Sequence, residues 1–272
     1  RIVAEDYAEA EVKLDYAAAD FAALDRFGRV LDQLWTDYGA DPDAALDHYS
    51  YEYDRAGNRT SRDNELHAAF DEEYTYDSLD RLTDADRADN FDQSWGLDGL
   101  GNFRTFDDDG AAQTHTTNEA HEIESTTGIA TPAHDRAGNM TAIPKPSSPA
   151  NLLGAKYDAW NRLVEVSDGG VLVAKFGYDG AGRRILKLFD SQSPAAPDGL
   201  DGYEHLFLAG QQVVEARAGA GSVPAAAEAL PPKFQQVWSP RYLDAPILRD
   251  ANADADGQCD DQRLFYLADA NY

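Results

Sequence analysis

One short pattern of apolar and polar positions returns along the chain. An aromatic residue or leucine is followed by Asp, two variable residues, Gly or a polar substitute, Asn or Arg, and usually an apolar or β-branched residue. Its copies begin at Leu24, Tyr53, Tyr76, Leu97, His134, Tyr157 and Tyr178, and the copy at His134 repeats the one at Tyr53 almost letter for letter. The Asp residues stand at positions 25, 54, 77, 98, 135, 158 and 179, in steps of 29, 23, 21, 37, 23 and 21 residues, so the 23-then-21 step occurs twice. Such a period marks a supersecondary unit that stacks on its neighbours. The 37-residue step predicts an insertion between Asp98 and Asp135, within residues 113–127.

Each unit reads as a β-hairpin. Tyr suits a half-buried strand. The Asp carboxylate accepts hydrogen bonds from backbone N–H groups two residues on and so opens a turn. Gly or Asn supplies the left-handed backbone that a tight turn needs. The turn residues on this reading are Asp25, Asp54 with Gly57 and Asn58, Asp77, Asp98 with Gly101, Asp135 with Gly138 and Asn139, Asp158, and Asp179 with Gly182. The residues after each turn begin the returning strand. The predicted fold class is all-β, built of repeated antiparallel β-hairpins, each leaving an edge unpaired until the next one adds to it.

These copies, Tyr53-Asp54-Arg55-Ala56-Gly57-Asn58-Arg59-Thr60 above all, resemble the YD repeat, also called the RHS repeat, over residues 24–185. The resemblance implies a long β-strip that spirals into a hollow, cocoon-like shell, as in bacterial polymorphic toxins, insecticidal toxin complexes and the extracellular teneurins. In toxin members the shell encloses a C-terminal effector polypeptide. The resemblance further implies a secreted or cell-surface location, and it places any self-cleaving protease residues in a segment beyond Tyr272. Leu24, Leu97 and His134 depart from the usual Tyr, and Asp80 and Asn161 stand where Gly is usual. Residues 1–190 are expected to form the repeat array, with 1–50 as degenerate repeats. Residues 191–272 are expected to continue the shell, with loops and hairpins leading toward the family's core-associated segment.

The flanks refine this picture. Tyr16–Ala23 is helical by propensity alone, but the turn motif at Leu24 sits beside it, so degenerate repeats and helix are competing readings. Pro144–Pro149, Ser191–Gly202 and Ala216–Pro232 read as loops. Tyr203–Glu215 reads as a hairpin turning near Ala209-Gly210, Gln235–Tyr242 and Arg263–Leu267 as strands, and Asp107–Gly110 as a hairpin tip.

Composition narrows the partners. Lys and Arg total 23 against 50 Asp and Glu, a formal charge of −27. That balance excludes nucleic acid and anionic membrane as partners, since both attract basic faces, and it permits divalent cations. Hydrophobic residues at 43% and aromatics at 11% are too many for a disordered acidic tail. Cys259 is the single cysteine, so no intrachain disulfide forms. No apolar run is long enough to cross a bilayer.

One stretch, Asp250–Asp261, gathers oxygen ligands. Counted from Asn252, the side chains of Asn252, Asp254, Asp256 and Asp260, with Gly257, match the start of an EF-hand loop, but Arg263 stands in the closing position. Asp250 and Asp261 are alternates in a second register, in which Ala255 stands where Gly is expected. Ca²⁺ is therefore the candidate cofactor, and a solvated acidic turn between two strands is the competing reading. The six histidines have no metal spacing, Cys259 has no assignable base, and no nucleotide or nucleophile motif is present. A catalytic carboxylate pair occurs once, whereas these Asp residues recur at every turn. Trp35, Trp95, Trp160 and Trp238 are expected to pack against sheet layers rather than stack on sugars. The expected function is a non-enzymatic shell segment that encapsulates or presents a C-terminal toxin or effector, with that effector and neighbouring repeats as partners. The alternative is an extracellular adhesion or carbohydrate-binding module, whose partner is a cell-surface glycan or protein.

Overall fold

The computed structural model describes residues 4–15, 23–193, 196–240, 245–254 and 256–267. The chain is all-β, in two antiparallel sheets of eleven strands whose spatial order is the chain order. The first holds β1 (Ala4–Tyr7), β2 (Val12–Asp15), β3 (Asp32–Asp37), β4 (Ala44–Tyr53), β5 (Arg59–Asn64), β6 (Glu72–Tyr76), β7 (Leu82–Arg87), β8 (Phe91–Leu97), β9 (Phe103–Asp108), β10 (Gln113–Thr117) and β11 (Ile123–Thr126). The second holds β12 (Ala133–His134), β13 (Met140–Lys145), β14 (Ser148–Tyr157), β15 (Leu163–Asp168), β16 (Val171–Tyr178), β17 (Arg184–Phe189), β18 (Gly202–Ala209), β19 (Gln212–Ala220), β20 (Pro232–Trp238), β21 (Pro246–Ala251) and β22 (Gln262–Phe265). Among the described residues the only helical elements are two 3-10 turns, Ala68–Phe70 and Ala227–Ala229. The chain divides into two compact units, residues 1–116 and 117–268.

Within the first unit the two faces of the sheet differ in character. Cross-strand register places Trp35, Tyr49, Tyr51, Arg62, Glu72, Tyr74, Ala85, Arg87, Gln93 and Trp95 on one face. There Trp35 and Leu14 are buried with Ala23, and Tyr7, Val12 and Val30 pack around them. The Tyr51 hydroxyl donates to Gln33 Oε1 at 2.9 Å, which satisfies a side chain only 1% exposed. The guanidinium groups of Arg59 and Arg62 lie over the rings of Tyr51 and Tyr49, at 4.5 and 5.2 Å. The opposite face carries Asp32, Asp63, Glu73, Asp84, Asp86, Asp92 and Asp107 by the same register. Burial, and then the charges of Asp84, Asp86, Asp107 and Asp109, push the Asp92 carboxyl above the ordinary range.

In the second unit the buried residues are Ala155, Val173, Leu188, Tyr203 and Ala216 among the apolar ones, with Asp190 capping the loop before β18. Asp190 accepts from the backbone N–H groups of Gln192, Asp198 and Gly199 at 2.9, 2.9 and 3.1 Å. Gly219 faces Tyr203 across β18 and β19. A Cβ there would lie 2.4 Å from the Tyr203 hydroxyl oxygen, so glycine is what lets the ring lie flat on the neighbouring strand.

Several local expectations are corrected. The stretch Ala216–Pro232 is not one loop: β19 runs to Ala220, and Ala216 is completely buried. The Pro144–Pro149 segment narrows to the link between β13 and β14, with Pro144 and Pro149 inside strands. The hairpin over Tyr203–Glu215 and the tip at Asp107–Gly110 form as predicted. Residues 16–22, the Ala-rich stretch, lie outside the described residues, as do 241–244 at the end of one expected strand and Asp269–Tyr272.

Candidate functional site

The recurring motif builds one turn seven times. The backbone N–H of each Asp donates to the carbonyl of the residue four positions on, from Asp25 to Arg29 at 2.9 Å through to Asp179 to Arg183 at 3.0 Å. The fourth residue of the turn donates its N–H back to the Asp carbonyl and holds a positive φ, as in Gly57 at 104° and Gly138 at 84°. One carboxylate oxygen accepts two further backbone N–H groups. In Asp98 these come from Leu100 and Asn102, both at 2.9 Å. The second oxygen accepts from the side chain of the fifth residue: Arg Nε at Asp25, Asp77, Asp158 and Asp179, or Asn Nδ2 at Asp54, Asp98 and Asp135. That is why the fifth position is Arg or Asn, the two side chains with an N–H fork at the required reach.

An eighth copy was missing from the sequence reading. Asn118 Oδ1 accepts from the N–H groups of Ala120 and Glu122 at 2.9 and 3.0 Å, and Asn118 Nδ2 donates to Glu122 Oε2 at 2.6 Å. His121 holds the fourth position at a φ of 64°. Donor and acceptor are exchanged relative to the Asp copies, so the geometry survives while the motif letters vanish. The 37-residue step is therefore two repeats and not an insertion.

All seven Asp carboxyls are held below the ordinary carboxylate range. In Asp77, Asp98, Asp135 and Asp158 the side-chain hydrogen bond from the fifth residue is the largest cause, and in Asp179 the backbone one. In Asp25 and Asp54 burial is the largest influence and acts upward, but the same hydrogen bonds together outweigh it. A carboxyl held low in the fold adds stability above its unfolded pKa of about 3.9, and that stability is lost as pH falls through the folded value. The thermal midpoint, followed by tryptophan fluorescence, is expected to stay level down to about pH 5 and to fall steeply between about pH 4 and 2. A midpoint that climbs through that window would mean that relief of the net charge outweighs the turns.

The acidic loop uses its oxygens differently from the expected Ca²⁺ site. Asp250 accepts two bonds from Arg263, both at 2.7 Å. Asn252 Nδ2 donates to the Pro232 carbonyl. Asp254 caps the Asp256 N–H, Asp256 caps Gln258, and Asp261 caps Ala253 and Asp254. Among the described residues no three His, Cys, Asp or Glu side chains converge where they could hold a metal ion. Asp250, Asp254, Asp256 and Asp261 are thus engaged by nearby N–H groups and Arg263, whereas Asn252 Oδ1 is buried with no hydrogen-bond partner and Asp260 lies on the same loop. Burial, and then the charges of Glu215, Asp250, Asp260 and Asp261, push the Cys259 thiol up, which disfavours the nucleophilic thiolate. Trp160 does not pack against a sheet: it sits at a turn tip, 75% exposed.

No family model matches the chain, and no curated protein does. Among solved structures it is similar to the Tc holotoxin pore of Photorhabdus luminescens, at 15% identity and a TM-score of 0.40, over 91% of this chain and 16% of that one. It is also similar to a complex of TcdB2, TccC3 and Cdc42, at 14% identity and a TM-score of 0.43, over 95% of this chain and 16% of that one. A TcdB2–TccC3 structure is covered over 17% of its length, at 15% identity and a TM-score of 0.40. The chain thus spans about one sixth of the chains it is similar to.

Proposed function

We propose that the chain is a wall segment of a β-shell that encloses or presents an effector polypeptide, at the cell surface or after secretion. The observation that carries this reading is the sheet area left uncovered. In β13, β15 and β21 every side chain, on both faces of the sheet, is only half-buried. A single-layer sheet with both faces open gains little from burial on its own, and stacked repeats form a wall whose inner face is completed by whatever it surrounds. The carboxylates support a structural role over a catalytic one, because each turn Asp is saturated by its own turn.

Limited proteolysis of the full-length protein that carries this chain tests the reading. The enclosed polypeptide is expected to stay intact under conditions that degrade the same polypeptide expressed alone. Equal rates of cleavage would overturn the shell, and retention on glycan-coated beads without protection would point to adhesion instead.

A further inference from the structure

Successive turns vary together at two positions. In chain order, the fifth residue of one turn and the fourth of the next are Arg29 and Gly57, Asn58 and Asp80, Arg81 and Gly101, Asn102 and His121, Glu122 and Gly138, Asn139 and Asn161, and Arg162 and Gly182. Every long side chain is followed by glycine, and every Asn by a polar residue with a side chain, in all seven steps.

Contacts between neighbouring turns give the cause. Within each sheet the turns connect every second pair of strands and so follow one edge, about 9–10 Å apart. An Arg spans that gap. Arg29, Arg81 and Arg162 donate from Nη1 to the carbonyls of Asp54, Asp98 and Asp179, at 3.3, 2.8 and 3.4 Å. On the way, Arg29 and Arg162 lie 4.6 and 4.7 Å over the rings of Tyr53 and Tyr178. In two of these three pairs the guanidinium then sits against the next fourth position: a Cβ on Gly57 would lie 3.5 Å from Arg29 Nη1, and one on Gly101 would lie 3.9 Å from Arg81 Nη1, whereas nothing lies within 4 Å of one on Gly182. A Cβ alone would only touch, but a longer side chain would compete for the same space. An Asn is too short to reach the carbonyl, and the gap is bridged from the other side. Asn58 Nδ2 donates to Asp80 Oδ1, and Asn139 Nδ2 to Asn161 Oδ1, both at 3.0 Å. Asp80 and Asn161 each hold a φ of 59°, in the left-handed region where glycine is easiest. A side chain kept in that region asks for a compensating contact, and these hydrogen bonds supply it.

We propose that the fifth residue of one turn and the fourth of the next form a recognition pair that specifies which turn docks beside which. A long side chain takes glycine, Asn takes a polar side chain, and mixed pairs are mismatched. The pairs would fix hairpin order along the sheet edge independently of the apolar pattern within the strands, whether or not the chain walls a shell.

A double-mutant cycle on the full chain tests this. Asn139→Arg and Asn161→Gly, made singly and together, convert one pair into the arrangement that Arg162 and Gly182 already adopt. The unfolding equilibrium constant of the double variant is expected to fall short of the product of the two single effects by roughly threefold or more. The reverse cycle, Arg29→Asn with Gly57→Asn, is expected to show the same sign of coupling and serves if a variant of the first set fails to fold. Asn139→Arg combined with Asp80→Gly, a residue of a different pair, is expected to multiply. Purely multiplicative effects in both neighbour cycles, or equal coupling in the unrelated pair, would overturn the proposal.

Discussion

Trp35→Ala is expected to lower the stability of the chain by about 4 kcal/mol, within the range for deleting a buried Trp. Trp35 is 2% exposed and is the largest fully buried side chain among the described residues. Its ring stacks on Tyr7, with centroids 5.7 Å apart and planes 20° from parallel, and it closes the cluster of Leu14 and Ala23. The neighbours Tyr7, Val12 and Leu14 are held on paired strands by their register and do not move readily into the space the indole leaves, so the loss should lie well above that of a site able to collapse. Urea unfolding followed by circular dichroism measures it, with a lower midpoint expected at an unchanged slope. Trp160→Ala is the matched control. At 75% exposure its change should stay within about 0.5 kcal/mol. A loss below about 1 kcal/mol for Trp35→Ala would mean that the indole is not packed as described.

The turns were legible in the sequence because their chemistry is local. Asp with a glycine, Asp or Asn three residues on needs no knowledge of neighbours, and seven copies, with the 23-then-21 step occurring twice, made hairpins the economical reading. The copy at Asn118 was hidden because an exchange of donor and acceptor preserves geometry and erases letters. The strand through Ala216 and Gly219 looked like a loop by composition, yet the partner ring of Tyr203 and complete burial select small residues there. The acidic loop is less legible than the turns. Sequence counts oxygens but does not say that Asp254, Asp256 and Asp261 have backbone N–H groups within reach. The pairing of fifth and fourth positions is present in the letters, but it relates residues about twenty apart and acquires meaning only when two turns lie side by side on one edge.

Glu72→Ala is the change that should expose how the aromatic face is held. Glu72 is 7% exposed. It accepts from Arg62 at 2.7 Å, and it also contacts Arg87 and the Tyr74 hydroxyl. Burial acts to raise its carboxyl, but the hydrogen bonds from Tyr74 and Arg87 and the two positive charges prevail and hold it below the ordinary range. Arg87 also lies over the rings of Phe70 and Phe91, at 5.6 and 5.3 Å. Removing the anion leaves two partly buried guanidinium groups facing each other, so a loss of about 3 kcal/mol is expected, and Glu72→Gln, which keeps an acceptor for Tyr74, should lose less. A second readout separates this network from simple loss of packing. Burial, and then the hydrogen bond to Glu72, push the Tyr74 hydroxyl up to about 12. A phenol raised in the fold adds stability that is complete below its unfolded pKa of about 10 and is lost as pH rises through the folded value. Tyr38 and Tyr76 are also raised, so spectrophotometric titration of tyrosinate should show Tyr74 as the last step in the parent, moved back toward 10 in Glu72→Ala. An unchanged late titration in that variant would leave burial alone as its cause and would count against the Glu72 network.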